Sequence, residues 1–388
     1  MECMAIQKQI AYVTGSRADF GLMQSVLDAI REKNELALDL FVAGEHLSDV
    51  HGVSGDEVKR AYPEAVFLSA TLEGDTPEHH ARYLAALQNA LTERFIASRP
   101  DAILVLGDRG EQLIAALVAT YLRIPILHLH GGELSSTIDN VARFAISRLA
   151  HMHLPALESA AARLRATSES PERIRVVGAP ALDRVRTMAW PSRNELFARL
   201  GLDPAQELIF ITQHPSTETA EQAGEEMHIV LEAAARFDRQ VLVVHPHLDP
   251  GGSSMLGALD AYREQPRFHF VSNLAHRDFL AVARESLVWI GNSSAGVIES
   301  ASLGVPVVNL GTRQQGRERG MNVVDAAIDI GEIVAKVEFV LSDIEFRARV
   351  AERKSPWGNG RTGETVANLL GETDLPSLIH KSFDFPLS

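Results

Sequence analysis

Only one cysteine, Cys3, occurs in 388 residues, so no disulfide can close within the chain and no site built from several thiolates can form. That scarcity fits a reducing compartment, and a cytoplasmic location is expected. A basic excess is also missing: Lys+Arg number 37 against 51 Asp+Glu, for a net charge of −14. Without a broad positive field, neither nucleic acid nor an anionic membrane surface is expected as a partner. Apolar runs stay short, as in Ala102–Leu106 and Ile124–Leu127, far below the ~20 residues of a membrane span. The opening Met-Glu-Cys-Met-Ala-Ile-Gln-Lys-Gln has neither the basic start nor the apolar centre of an export signal. No low-complexity tract or short-period repeat appears, which sets aside solenoids and arrays.

What is present is ordinary for a globular protein: 46% hydrophobic and 23% charged residues. At roughly 100–200 residues per domain the length predicts two domains. Short β-branched or Leu-rich runs alternate with longer helical stretches, the pattern of parallel sheets with crossover helices, so the class is α/β. In the first half, strands are expected at Ile10–Val13, Leu38–Val42, Val66–Leu68, Ala102–Leu106, Ile124–Leu129, His151–Leu154 and Arg175–Val177. The second half predicts five more, at Leu208–Thr212, Val241–Val244, Phe268–Val271, Leu287–Ile290 and Val307–Leu310. The join is expected between Asp183 and Pro204, where Trp190-Pro191-Ser192 breaks the pattern. This divides the chain into 1–187, 188–360 and a final helix with its tail, 361–388, and two similar lobes invite a ligand between them.

Polar clusters stand where strands end, the place at which open α/β sheets bind ligands. After the first strand, Gly15-Ser16-Arg17-Ala18-Asp19-Phe20-Gly21 opens a helix; it reads either as an anion site or as a capped turn with a solvated arginine. Gly107-Asp108-Arg109-Gly110-Glu111 follows a fully apolar strand, and Asp108 there is either a site acid or a helix cap. In His128-Leu129-His130-Gly131-Gly132-Glu133, strand alternation sends both imidazoles to one face, and Asp139 follows closely. Nothing nearby completes a metal-ligand set, so no metal is expected. In the second half, Thr212-Gln213-His214-Pro215 and His245-Pro246-His247 both set histidine beside proline at a loop start. Gly291-Asn292-Ser293-Ser294-Ala295-Gly296-Val297-Ile298-Glu299 offers hydroxyls and N–H groups to a phosphate, with an acid just over a turn inside for a ribose diol. Gly311 to Gly320 then gathers Arg313, Arg317 and Arg319 in one loop.

In this order the motifs resemble the hydrolysing nucleotide-sugar 2-epimerases, typified by the UDP-N-acetylglucosamine 2-epimerases of sialic acid synthesis, over about Ile10 to Asn322. Ser-Arg-Ala-Asp and Gly-Asp-Arg distinguish this branch from the non-hydrolysing epimerases. The resemblance implies two Rossmann-like doubly wound lobes with a cleft between them, like the GT-B glycosyltransferases, and allows a final helix around Thr362–Leu370 to cross back onto the first lobe. It implies that Arg17, Gly21, Arg109, His214, His247, Leu274, Ser293, Ser294, Glu299 and Arg313 bind the nucleotide diphosphate. Asp108, His130 and Asp139 fall at the family's catalytic places. Some members carry glutamate where this chain has His130, which leaves the acid role to His130 or to Glu133. No cofactor is implied; the partner is a nucleotide sugar, and a homo-oligomer, taken as a homodimer, is the family's expectation.

Such a reaction expels the nucleotide from C1, takes the C2 proton once C1 is oxocarbenium-like, and hydrates the resulting glycal with inversion at C2. The expected conversion is UDP-N-acetylglucosamine to N-acetylmannosamine plus UDP. The same chemistry on a UDP- or GDP-linked diacetamido-trideoxy sugar of the legionaminic acid route, or glycosyl transfer in a GT-B fold, are the alternatives. A transferase would release no nucleotide until an acceptor is added, a non-hydrolysing epimerase would return the intact nucleotide sugar, and a non-catalytic sensor would bind without turnover.

Overall fold

The strands are apolar on both faces because both faces of each sheet are covered, as parallel sheets require. The computed structural model describes residues 7–48, 54–134, 138–246 and 250–383. Among them, β1 (Lys8–Thr14), β2 (Leu36–Gly44), β3 (Val66–Thr71), β4 (Ala102–Leu106), β5 (Ile126–Leu129) and β6 (Met152–Leu154) form one parallel sheet in the order β3-β2-β1-β4-β5-β6. A second sheet is built from β7 (Leu208–Thr212), β8 (Gln240–Val244), β9 (Phe268–Val271), β10 (Val288–Gly291), β11 (Val307–Leu310) and β12 (Val323–Ala326), in the order β12-β11-β10-β7-β8-β9. Counted within its own lobe, each sheet therefore has the same order, and each reverses direction between its first and fourth strands. Tyr12 pairs with Leu104 at one reversal and Ile211 with Ile290 at the other.

Period-two alternation splits each strand between two cores. Ile10, Tyr12 and Leu104 face one core of the first lobe, Ala11, Val13 and Ile103 the other. Ile209 and Ile211 face one core of the second lobe, Leu208 and Phe210 the other. No helix among the described residues is long and apolar enough to cross a membrane.

Two strand expectations change. Arg175–Val177 makes two strand-like bonds, Arg175 N to His153 O at 2.9 Å and Val177 N to Pro155 O at 3.0 Å, yet forms no strand. A 3-10 turn at Pro171–Arg173 precedes it and Gly178, at φ +84°, turns the chain directly after, so the run is cut short. β12, four residues with only two consecutive valines, was not visible in the pattern.

The helix Thr362–Glu372 returns to the first lobe, where Val366, Ala367 and Leu370 share a core with Phe20, Met23 and Leu27 of the helix Arg17–Glu32. Its ends are fixed by that lobe. Asp183 accepts from the N–H groups of Thr362 at 2.8 Å and Gly363 at 2.6 Å, and Lys8 Nζ donates to the carbonyls of Leu370, Gly371 and Thr373, satisfying groups that a helix leaves open at its termini.

Candidate active site

The loops after β1, β4 and β5 bring the first lobe's charges together. Gln112 stitches the first reversal: its Nε2 donates to Val13 O at 2.8 Å and its Oε1 accepts from Leu106 N at 3.1 Å. Ser16 caps the helix Arg17–Glu32 by accepting from Asp19 N. Asp19 is buried, bonded to Thr14 Oγ1 and to Gly15 N at 3.0 Å, and burial lifts its carboxyl to about 7. Thr14 passes the contact to His46 Nε2 at 2.9 Å, and His46 Nδ1 meets Ser54 at 2.8 Å. After β4, Arg109 is flanked by Glu45 at 3.2 Å and Glu111 at 3.3 Å. Burial would raise Glu111, but Arg109 outweighs it and holds that carboxyl below its ordinary range.

His128 and His130 have different tasks. His128 is fully buried and pushed down to about 3 by burial, with Nε2 on Gly107 O at 2.8 Å and Nδ1 on Ser147 at 3.1 Å, so it stays neutral and ties the β4 loop to the helix Ile138–Leu149. His130 takes a left-handed backbone at φ +58°, rare for a residue with a side chain. That turn aims its Nδ1 at Glu133 Oε1, 2.5 Å away. Burial alone would raise Glu133, but His130, Arg143 and Arg317 prevail and hold it at about 2. Arg143, only 2% exposed, donates from Nη1 to His130 O at 2.8 Å and pairs through Nη2 with Asp108. Its Nη1 also stands 3.9 Å from Glu133, and Arg317 reaches the same carboxylate at 3.8 Å. Asp108, Arg109, His130, Glu133 and Asp139 all line one cavity of about 650 Å³.

In the second lobe the site is made of loops stitched by one asparagine. Asn292 Oδ1 accepts from His214 N and its Nδ2 donates to His214 O, both at 2.8 Å, while its carbonyl receives Arg313 at 3.2 Å and Gln314 at 2.9 Å. Gly291, at φ +136°, lets β10 end against the backbone of Thr212, where a Cβ would collide. Ser293 occupies the cap position of the helix Ser294–Ile298, but its hydroxyl does not bond that helix. Glu299, 1% exposed, pairs through Oε1 with His276 Nε2 at 3.0 Å. Its Oε2 and His276 Nδ1 are buried and have no hydrogen-bond partner among the described residues. Arg17, His214, Leu274, Ser293, Ser294, Glu299 and Arg313 line a second cavity of about 160 Å³, where Arg17 also pairs with Glu57 at 2.9 Å. Ser294, Ile298 and Arg313 border both cavities.

The residues singled out by sequence thus fall into two adjoining groups, with three differences of placement. Arg109 stands in the larger cavity rather than beside the serines. Gly21 lines neither; it is where the lobes touch, since a Cβ there would come within 2.9 Å of the His276 side chain. His247 lies outside the described residues. Arg143, His276 and Asp19 were not singled out. Arg143 follows Asp139 by one helical turn, a spacing that puts both on one face; nothing local announces His276. Among the described residues, no group of three His, Cys, Asp or Glu side chains stands as a metal site would.

Comparison with known proteins assigns the chain to a family. The chain is 33% identical over 373 residues to the UDP-N,N'-diacetylbacillosamine 2-epimerase (hydrolyzing) of Legionella pneumophila, covering 96% of this chain and 98% of that one. To the UDP-N-acetylglucosamine 2-epimerase of Neisseria meningitidis serogroup B it is 31% identical over 347 residues, covering 88% and 89%. A crystal structure of UDP-GlcNAc 2-epimerase from Neisseria meningitidis bound to UDP-GlcNAc has the same fold, with a TM-score of 0.79 at 18% identity over 94% of this chain and all of that one. The family model described as UDP-N-acetylglucosamine 2-epimerase matches residues 28–371, and the chain belongs to that family.

Proposed function

We propose that the protein is a hydrolysing nucleotide-sugar 2-epimerase, which converts UDP-N-acetylglucosamine to N-acetylmannosamine and UDP for sialic acid-type sugar synthesis. One observation carries this reading: a cluster of paired groups, Asp108 with Arg143 and His130 with Glu133, lines a cavity that adjoins a second one lined by hydroxyls, guanidinium groups and the buried acid Glu299. The nucleoside diphosphate takes the smaller cavity and the sugar the larger. Residues 1–187 then serve as the sugar-side lobe and 188–360 as the nucleotide lobe, with 361–388 returning.

The anomeric C–O bond breaks with its electron pair leaving on the diphosphate, whose growing charge is met by Arg17, Arg313 and the two serines. As C1 becomes electron-poor, the C2 proton passes to a carboxylate, Asp108 or Asp139, and the C1–C2 double bond forms. Water then adds its oxygen to C1 while a proton is delivered to C2 from the opposite face, which inverts that centre. Glu133, bonded to His130 Nδ1 at 2.5 Å, orients the imidazole, and His130, which lines the larger cavity, delivers the proton.

A second reading has its own support. Pro77, Ala81, Leu84, Val141, Ala142 and Ala145 give the larger cavity an apolar wall, which suits a methyl at C6 and an acetamido group at C4, as in the substrate named for the Legionella relative. Proton NMR in D2O, with UDP-N-acetylglucosamine and the UDP- and GDP-linked diacetamido-trideoxy sugars in parallel, tests both. Release of the nucleotide with a free sugar deuterated at C2 is expected; return of an intact epimerised nucleotide sugar, or no release until an acceptor is added, would overturn the proposal.

A further inference from the structure

We propose that Trp357 is a positioning residue for His130, supplied by the segment that carries the chain from the second lobe back to the first. This rests on His130 being the proton carrier. The segment crosses the outgoing chain at two glycines: a Cβ on Gly358, at φ +112°, would lie 3.0 Å from Gly178 Cα. Beside the crossing, Ala179 N donates to Trp357 O at 2.8 Å. The indole is thereby pressed into a core drawn from both lobes, Ala156, Leu157 and Ala160 of the first and Val297 and Ile298 of the second, and is 0% exposed.

Its plane lies 28° from that of the His130 imidazole, with ring centroids 6.2 Å apart, an offset stack. The other sides of His130 are held by polar groups: Glu133 at Nδ1, Arg143 at the carbonyl, and Leu154 O, which accepts from the backbone N at 3.2 Å. A left-handed backbone persists only where its surroundings over-determine it, and Trp357 is the one contact among these that bears on the ring face. The indole N–H has no hydrogen-bond partner among the described residues, so the flat ring rather than the polar handle makes the contact. A pure filler could be replaced by any apolar side chain; a positioning ring can be replaced only by another ring.

The test compares Trp357→Phe, Trp357→Leu, His130→Gln and the double variant His130→Gln with Trp357→Leu, in the full chain. W357L should lower kcat on the order of 100-fold through misplacement of a reacting group, and should change the UDP dissociation constant far less, by no more than about threefold, because the indole meets the nucleotide-side helix only through Val297 and Ile298. W357F should keep kcat within about threefold of the parent. In the His130→Gln background, W357L should change kcat by less than about twofold, because the group it acts through is gone. Losses that multiply in full, or a kcat that falls only in proportion to UDP binding and thermal stability, would overturn the proposal. A measurement free of turnover accompanies it: the His130 ring signals in a proton–carbon spectrum, assigned by their loss in H130Q, should carry a ring-current shift that W357F keeps and W357L removes. If the parent turns no nucleotide sugar over, the proposed function falls while this signal still decides the stack: unmoved in W357L, it refutes the positioning role.

Discussion

The two lobes share one strand order and use its reversal in opposite ways. Beside its reversal, in the loops after β2, β4 and β5, the first lobe places titratable groups already paired to one another: Asp108 with Arg143, Glu133 with His130, Arg109 between Glu45 and Glu111. Between β7 and β10, the second lobe places hydroxyls, a backbone-stitching asparagine and an acid with one oxygen unpartnered among the described residues. A group that must move protons has to be held before the substrate arrives; a group that must grip a ligand has to keep its bonding capacity for it. Under the proposed function one scaffold serves chemistry or binding according to whether its loops pair their charges internally: Glu133 Oε2 lacks a hydrogen bond among the described residues just as Glu299 Oε2 does, but it faces Arg143 and Arg317 at 3.9 and 3.8 Å.

That contrast can be broken by exchanging the expected effects. Asp108→Asn should lower kcat by about 10²–10⁴-fold with the UDP dissociation constant unchanged in calorimetry; parallel loss of UDP binding would mean that the loop after β4 also grips the nucleotide. Glu299→Gln should weaken UDP by about 10–100-fold, the worth of a charged hydrogen bond at 1.5–3 kcal/mol, while kcat at saturating substrate stays close to the parent value. A smaller effect is expected for His276→Phe, about 2–10-fold on UDP affinity for the loss of one orienting hydrogen bond, since Glu299 loses its partner at 3.0 Å; an unchanged titration curve would make His276 packing alone.

The last effect concerns stability and falls on the first lobe. Burial drives His46 down to about 4 and His128 to about 3 from an unfolded value of 6.5, so the stability they contribute is full above pH 6.5 and is lost as pH falls toward those values. Asp19, lifted to about 7 from 3.8, runs the other way: its contribution is full below 3.8 and lost as pH rises through 7. Between pH 6.5 and 5.5 these two histidines lose, as does His151, which burial also drives down to about 4, while Asp19 gains, for a net loss on the order of 2 kcal/mol. Denaturant midpoints at the two pH values check this, and a midpoint that rose on acidification would contradict it.

Strand ends were legible because polar residues interrupt apolar runs there, and the two groups that line the cavities came from those interruptions. The pairing inside the first group was not. His130-Gly-Gly-Glu133 shows two polar side chains, but only a left-handed His130 turns its imidazole onto Glu133, and nothing in the letters demands φ +58° of a histidine. Arg143, His276 and Trp357 escaped for another reason. Their partners lie on other elements, and their own surroundings read as helix interior, helix start and a Pro-Trp-Gly turn. The missing β12 and the surplus strand at Arg175–Val177 mark the limit of short runs, where neighbours decide between strand and extended coil.

The returning helix has a consequence for how the molecule is made. Val366, Ala367, Leu370, Leu375 and Leu378 complete a core whose other members begin at Ile10. During synthesis the part of this core that the returning helix covers therefore stays open until the whole second lobe has been translated. The lobe that emerges first is the lobe that finishes last, and the second lobe, whose sheet and cores lie within one continuous stretch of chain, is free to fold while its elder neighbour waits.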